Sequence, residues 1–175
     1  LAPRASDFAM ALDSDDPARA RELLAAMRLD IDRLARRFGR DRIILENANW
    51  DPGYDIPHLV LDPELITRAV VESGSGFLLD LAHARMAAVH LGFDPPEYVA
   101  RLPVSRLREL HVAGTRFDEA EARLVDHFPM TAPDWALAEW VFERIHRGDW
   151  PQPRIVALEY GGVGPAFGWR SEADV

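Results

Sequence analysis

Four short apolar segments, "RIILEN", "GFLLD", "LRELHVAG" and "RIVALEYGG", are separated along this chain by helical stretches, and near their ends they carry Glu46, Asp80, His111 and Glu159. Strands that alternate with helices of about ten or more residues form parallel βαβ units with right-handed crossovers. A parallel sheet brings the C-terminal ends of its strands to one edge, the edge where α/β barrels and open α/β sheets place their chemistry. The four ionisable groups are therefore expected to share one site. A charge at the end of a buried strand is costly unless it is paired, hydrogen-bonded or holding a metal.

The helices between these strands carry their own punctuation. Residues 16–39 read as a helix, with Asp16 as cap, Pro17 in the first turn and Gly39 at the end. Leu23, Leu24, Met27, Ile31, Leu34 and Phe38 recur at helical spacing and predict one apolar face. "DPELITRAVVESG" repeats this grammar with Asp62, Pro63 and Gly74, and "LAHARMAAVHLGF" and "DPPEYVARL" follow the second strand. "APDWALAEWVFERIHRG" supplies the last helix, with Trp135, Leu137, Trp140, Val141 and Ile145 at apolar positions. The stretch from Thr115 to Thr131 lacks periodicity and reads as a long loop, and "DFAMAL" reads as a fifth strand.

Composition sets the limits. With 175 residues and 48% hydrophobic content, the chain has enough material for a substantial core, and one domain over residues 1–175 is expected. A net charge of -9 argues against a nucleic-acid groove, which needs a basic face to neutralise phosphates. There is no Cys, which excludes zinc-thiolate sites, iron-sulfur clusters and cysteine nucleophiles. No apolar run approaches the roughly eighteen residues of a membrane span, and "LAPRASDF" lacks a signal-peptide pattern, so no membrane partner and a cytoplasmic location are expected.

Ligands limited to His and carboxylates suit Mn, Fe, Co or Zn, and several carboxylates together favour more than one ion. His83 follows Asp80 by three residues and comes round the first helical turn as a further ligand. Asp126 and His127 are adjacent in "VDHF", and neighbours in extended chain point opposite ways, so they need not serve the same ion. Asn47, next to Glu46, and His58, in the loop after that strand, are assigned to substrate. His90 and His146 lie within helices and read as structural. "YGGVGPAFG" lacks the Lys of a phosphate loop and the spacing of a dinucleotide fingerprint, and reads as a loop over the site.

In order and spacing, "ILENANW", "GFLLDLAHARMAAVHLGFDP", "ELHVAGT", "VDHFPMTAPDWALAEWV" and "ALEYGG" resemble the multinuclear non-haem iron-dependent oxidative enzymes. That family includes the methanobactin biosynthesis enzyme and lies within the xylose isomerase-like barrel superfamily. The resemblance runs from Phe8 to Pro165. It implies a (β/α)8 TIM barrel that binds two or three irons and uses dioxygen to modify a peptide, delivered by a partner protein. By motif, Glu46 matches the "LEN" glutamate, Asp80 the "LLD" aspartate, His111 the "HLAG" histidine and Glu159 the glutamate of the last strand.

The chain also departs from the resembled pattern. His83 stands where the family has Asn, Thr115 where it has a second His, and "DH" replaces "DTH", which puts Asp126 or His127 out of register. The histidines of the family's first strands have no counterpart upstream of Phe8.

A complete barrel takes about 250 residues, so this chain is expected to hold a partial or divergent barrel lacking the first strands. Exposed sheet edges would then be covered by further residues or by a partner, a second copy among them. The alternative functions are a Mn-, Zn- or Mg-dependent sugar or hydroxy-acid isomerase or epimerase of the same superfamily and a non-catalytic relic of the fold.

Overall fold

The computed structural model describes residues 3–51 and 53–161. In chain order the elements are α1 (Pro17–Phe38), β1 (Ile44–Glu46), α2 (Pro63–Ser73), β2 (Gly76–Asp80), α3 (Leu81–Leu91), α4 (Pro95–Arg101), β3 (Leu107–Val112), β4 (Gly114–Asp118), β5 (Arg123–Phe128), α5 (Ala132–His146) and β6 (Ile155–Leu158). Each helix boundary has a local cause. Asp16, Asp62, Asp80 and Asp94 accept backbone N–H bonds at the starts of α1 to α4. Such caps are worth about 1 kcal/mol each. Thr131 and Asp134 form a reciprocal capping box on α5.

β1, β2, β3 and β6 form one parallel sheet in the order β1-β2-β3-β6, as the alternation of strands and helices requires. Asp80 lies opposite His111 in the β2–β3 register, and the N–H of Glu159 donates to the carbonyl of Val112 at 2.9 Å. The strand-end residues therefore arrive at one edge. Phe77, Leu79 and Leu110 are fully buried in the core that holds the central strands, beside Tyr98, Val99 and Val141 from the helices. Each such side chain contributes about 1.5–3 kcal/mol of burial free energy. The sheet stays open among the described residues, with β1 and β6 at its edges, so no closed barrel is formed by them. Ile155, Val156 and Leu158 on β6 are exposed.

Three sequence expectations are corrected. The predicted loop from Thr115 to Thr131 contains an antiparallel hairpin of β4 and β5, because its strand pairing is a tertiary property that periodicity does not show. "DFAMAL" is a short 3-10 turn over Ala5–Phe8 followed by irregular chain, not a strand. The α1 face is narrower than predicted: Leu23, Leu24 and Ile31 are buried, whereas Leu34 and Phe38 are exposed. No helix among the described residues is long and apolar enough to cross a membrane. The Gly-rich stretch lies outside the described residues from position 162 onward.

Candidate metal centre

Glu46, Asp80 and His111, from the ends of β1, β2 and β3, each present a ligand atom within 4.8 Å of the others. Four further side chains surround them. His83, one turn into α3, sets Nδ1 3.2 Å from Oε1 of Glu46 and Nε2 3.2 Å from Oδ2 of Asp126. Glu159 places Oε1 3.0 Å from Nδ1 of His111 and Oε2 3.3 Å from Nε2 of His127. All seven residues read from the sequence as metal ligands thus join one connected group. Histidines pair with these carboxylates among the described residues: His83 with Glu46 and Asp126, and His111 and His127 with Glu159.

Two of the atoms are buried without a hydrogen-bond partner, Oδ2 of Asp80 and Nδ1 of His111. They stand 3.9 Å apart. His111 Nδ1 is close to Glu159 in distance, but the contact is not aligned as a hydrogen bond, so proximity alone does not satisfy that nitrogen. A buried carboxylate oxygen and a buried imidazole nitrogen that both lack partners fit a divalent cation between them. The donor set, oxygen and nitrogen without sulfur, fits Mn, Fe, Co or Zn.

The electrostatics agree. Burial pushes the Asp80 carboxyl up, against the pull of His83 and its backbone N–H, and the charges of Glu46 and Glu159 push it the same way. A cation at the site would reverse that balance. Burial opposes charge on His83, but the hydrogen bonds to Asp126 and Glu46 outweigh it and push its pKa up to about 11. The hydrogen bond from His83 holds Glu46 below the ordinary carboxylate range, and Asp126 is also lowered, its burial overcome by His83 and His127.

The hairpin explains how adjacent Asp126 and His127 both reach the site. His127 has φ +64°, outside the extended region, so the side-chain alternation expected of a strand is broken there. Its carbonyl accepts the N–H of Gly161 at 2.8 Å, which ties β5 to the segment after β6. Gly114, where β4 leaves β3, has no room for a Cβ: one built there would stand 2.2 Å from the carbonyl oxygens of Phe128 and Pro129. Arg123 pairs with Asp51 at 3.0 Å and fastens the hairpin to the loop after β1.

Asn47 and His58 are placed differently from the seven ligand-type residues. Asn47 is fully buried and spends both ends of its amide on the backbone of Asp80. His58 packs edge-on to Trp50 and His90, and burial lowers the pKa of both histidines. It lines a cleft of about 860 Å³ with Asp62, Glu64, Arg68 and Arg101, which contains none of the seven ligand-type residues. A smaller cleft of about 360 Å³ opens beside Glu46, Asn47 and His83, walled by Leu45, Ile56, Val60 and Ile66.

Thr115 is buried in a polar bracket of its own. Its hydroxyl donates to Oδ1 of Asp134 at 2.9 Å and accepts from Arg85, whose guanidinium also pairs with Asp134 at 2.5 Å. The sequence reading missed Glu109, whose Oε1 lies 3.0 Å from Nε2 of His111. Its signal was present, because residues two apart on a strand share a face.

A family model described as "RiPP precursor modification enzyme MbnB/TglH/ChrH" matches residues 18–152. The chain belongs to this family. The matched span includes Glu46, Asp80, His83, His111, Asp126 and His127, and ends before Glu159. Relatives within the curated UPF0276 proteins include one from a Caulobacter species, 29% identical over 154 residues, covering 85% of this chain and 52% of the relative. Another, from Acaryochloris marina, is 31% identical over 107 residues, covering 59% of this chain and 37% of the relative. A third, from Bordetella pertussis, is 33% identical over 103 residues, covering 56% and 35%. The chain therefore spans between about a third and a half of the length of these relatives.

Proposed function

We propose that this chain carries the metal centre of an iron-dependent oxidative enzyme that modifies a residue of a ribosomally made peptide. The observation that carries the reading is the convergence of Glu46, Asp80 and His111 within 4.8 Å, with Asp80 Oδ2 and His111 Nδ1 buried and unsatisfied. Membership in a family of RiPP precursor modification enzymes supports a peptide as substrate. Iron, when bound in such a centre, supplies the capacity to activate dioxygen.

The chain's own residues do the rest. Glu46, Asp80 and His111 would hold one ion, and His83, Asp126, His127 and Glu159 would offer donors for a further one. Asn47 acts through the backbone of Asp80 and not on the substrate. The cleft beside Glu46 and His83, with Leu45, Ile56, Val60 and Ile66 along one wall, is where the reacting side chain of the peptide would enter. His58, in the larger cleft, is left to touch a more distant part of the peptide. The open sheet edges suit completion of a barrel by further residues or by a partner chain.

Elemental analysis of protein purified without added metal, paired with anomalous scattering at the iron edge, tests the reading. Iron at two or more sites among these residues is the expected result. A single Mn or Zn with no oxygen consumption would replace it with an isomerase-type reaction, and an empty site would leave a fold without this chemistry. Glu46→Ala should lose metal, and full retention would remove Glu46 from the centre.

A further inference from the structure

Glu109 and His111 stand two residues apart on β3 and face the same side of the sheet. Oε1 of Glu109 lies 3.0 Å from Nε2 of His111, and both side chains are largely buried, at 20% and 15% exposure. The other ring nitrogen, Nδ1, points toward Asp80 and Glu159 and is buried without a hydrogen-bond partner. An ionised carboxylate only accepts hydrogen bonds. A neutral His111 that bonds Glu109 must therefore carry its hydrogen on Nε2, which leaves the Nδ1 lone pair facing the other ligands.

We propose that Glu109 is a positioning residue of the metal centre: it holds the His111 ring by Nε2 so that Nδ1 is the atom that ligates. The proposal rests on the metal-centre reading above. Glu109 itself is not a ligand in it, since the oxygen that the structure engages is turned to the far side of the imidazole. Carboxylates that hold a ligating histidine in this way fix ring orientation and raise the donor strength of the other nitrogen. In this chain the pairing is built into the strand, because β3 pairs on both sides with β2 and β6 and Glu109 sits within both registers. Neither residue can slide relative to the other.

The test uses the full chain with Zn(II) or Co(II) as the probe. Three forms are compared: the unaltered protein, Glu109→Gln, whose side-chain oxygen still accepts from Nε2, and Glu109→Ala. Long-range nitrogen–proton NMR of the Zn(II)-loaded protein should show His111 protonated on Nε2 and metal-bound through Nδ1. Glu109→Ala should weaken Co(II) affinity by about 10- to 100-fold, alter the visible Co(II) bands and lose the single Nδ1-bound ring state. Glu109→Gln should restore most of the affinity and the ring state, which a merely structural role would not require.

Metal bound through Nε2 in the unaltered protein would overturn the proposal, as would unchanged affinity and bands in a folded Glu109→Ala. If Asp80→Asn and His111→Gln leave Zn(II) binding intact, the metal-centre reading itself fails and the proposal falls with it. That result is distinguishable, because it appears without any change at Glu109.

Discussion

Asn47 and Asp80 are joined by both ends of one amide: Oδ1 of Asn47 accepts the Asp80 N–H at 2.9 Å, and Nδ2 donates to the Asp80 carbonyl at 3.0 Å. This bracket crosses from the end of β1 to the end of β2, at the point where the strand ladder stops and α3 begins. It completes the pairing of the Asp80 backbone and so fixes where the carboxylate points. Oδ1 of Asp80 is used to cap α3 through the His83 N–H at 2.8 Å, and Oδ2 is left for the site.

Asn47→Leu should therefore act on stability and on the site together. It removes the two hydrogen bonds that Asn47 makes to the Asp80 N–H and carbonyl in a buried setting, at a cost of about 1–3 kcal/mol. Thermal unfolding should shift down, and Zn(II) affinity should fall although Asn47 contributes no ligand. Unchanged affinity at reduced stability would separate the bracket from the metal centre.

The Asp134 bracket predicts an acid-dependent loss of stability that does not involve the seven ligand-type residues. Burial works against the Asp134 charge, but bonds from Thr131 and Thr115 and the charge of Arg85 hold its carboxyl below the ordinary value of 3.8. A group lowered in the folded state stabilises above its unfolded pKa, and that contribution is lost as pH falls through the folded value. Acid unfolding should thus steepen below pH 3.8. Asp134→Ala should flatten that dependence and destabilise the neutral protein by about 3 kcal/mol or more, because Arg85 loses its buried partner.

Gly114→Ala should displace the hairpin. The added Cβ meets backbone, not a flexible side chain, at 2.2 Å from Phe128 O and Pro129 O. Overpacking of this kind costs about 1–3 kcal/mol. The expected signature is faster amide exchange confined to β4 and β5 with the parallel sheet still protected. Metal stoichiometry should fall too, since Asp126 and His127 travel with β5.

Arg123 and Asp51 provide a milder route to the same element. Both side chains are largely buried at their 3.0 Å contact, so the pair is less screened than a surface bridge. Asp51→Ala should raise exchange in the hairpin without altering β1 to β3, and Asp51→Glu should recover part of the protection. Equal exchange in all three forms would show that the hairpin is held by its other contacts.

Much of the fold was legible in short stretches. The Asp-Pro starts and Gly ends of α1 and α2 are local chemistry, and the sequence alone placed them. The four strand ends were legible because parallel βαβ topology converts sequence periodicity into a shared edge. The hairpin was not, because β4 and β5 are defined by pairing with each other and lack an apolar alternation of their own. Leu34 and Phe38 repeat at helical spacing, yet what lies opposite them is set by neighbouring elements and not by α1.

The residue types available for a metal centre, and the edge on which Glu46, Asp80, His111 and Glu159 must gather, follow from sequence, since strand direction and crossover handedness leave little choice. Which atoms meet there was decided by tertiary structure. The left-handed backbone at His127 turns two adjacent residues toward one site. Strand register sets Asp80 beside His111, and the ring of His111 lies with Nε2 against Glu109 and Nδ1 toward Asp80 and Glu159. Those choices depend on contacts between segments tens of residues apart, and the order of residues in the chain does not specify them one by one.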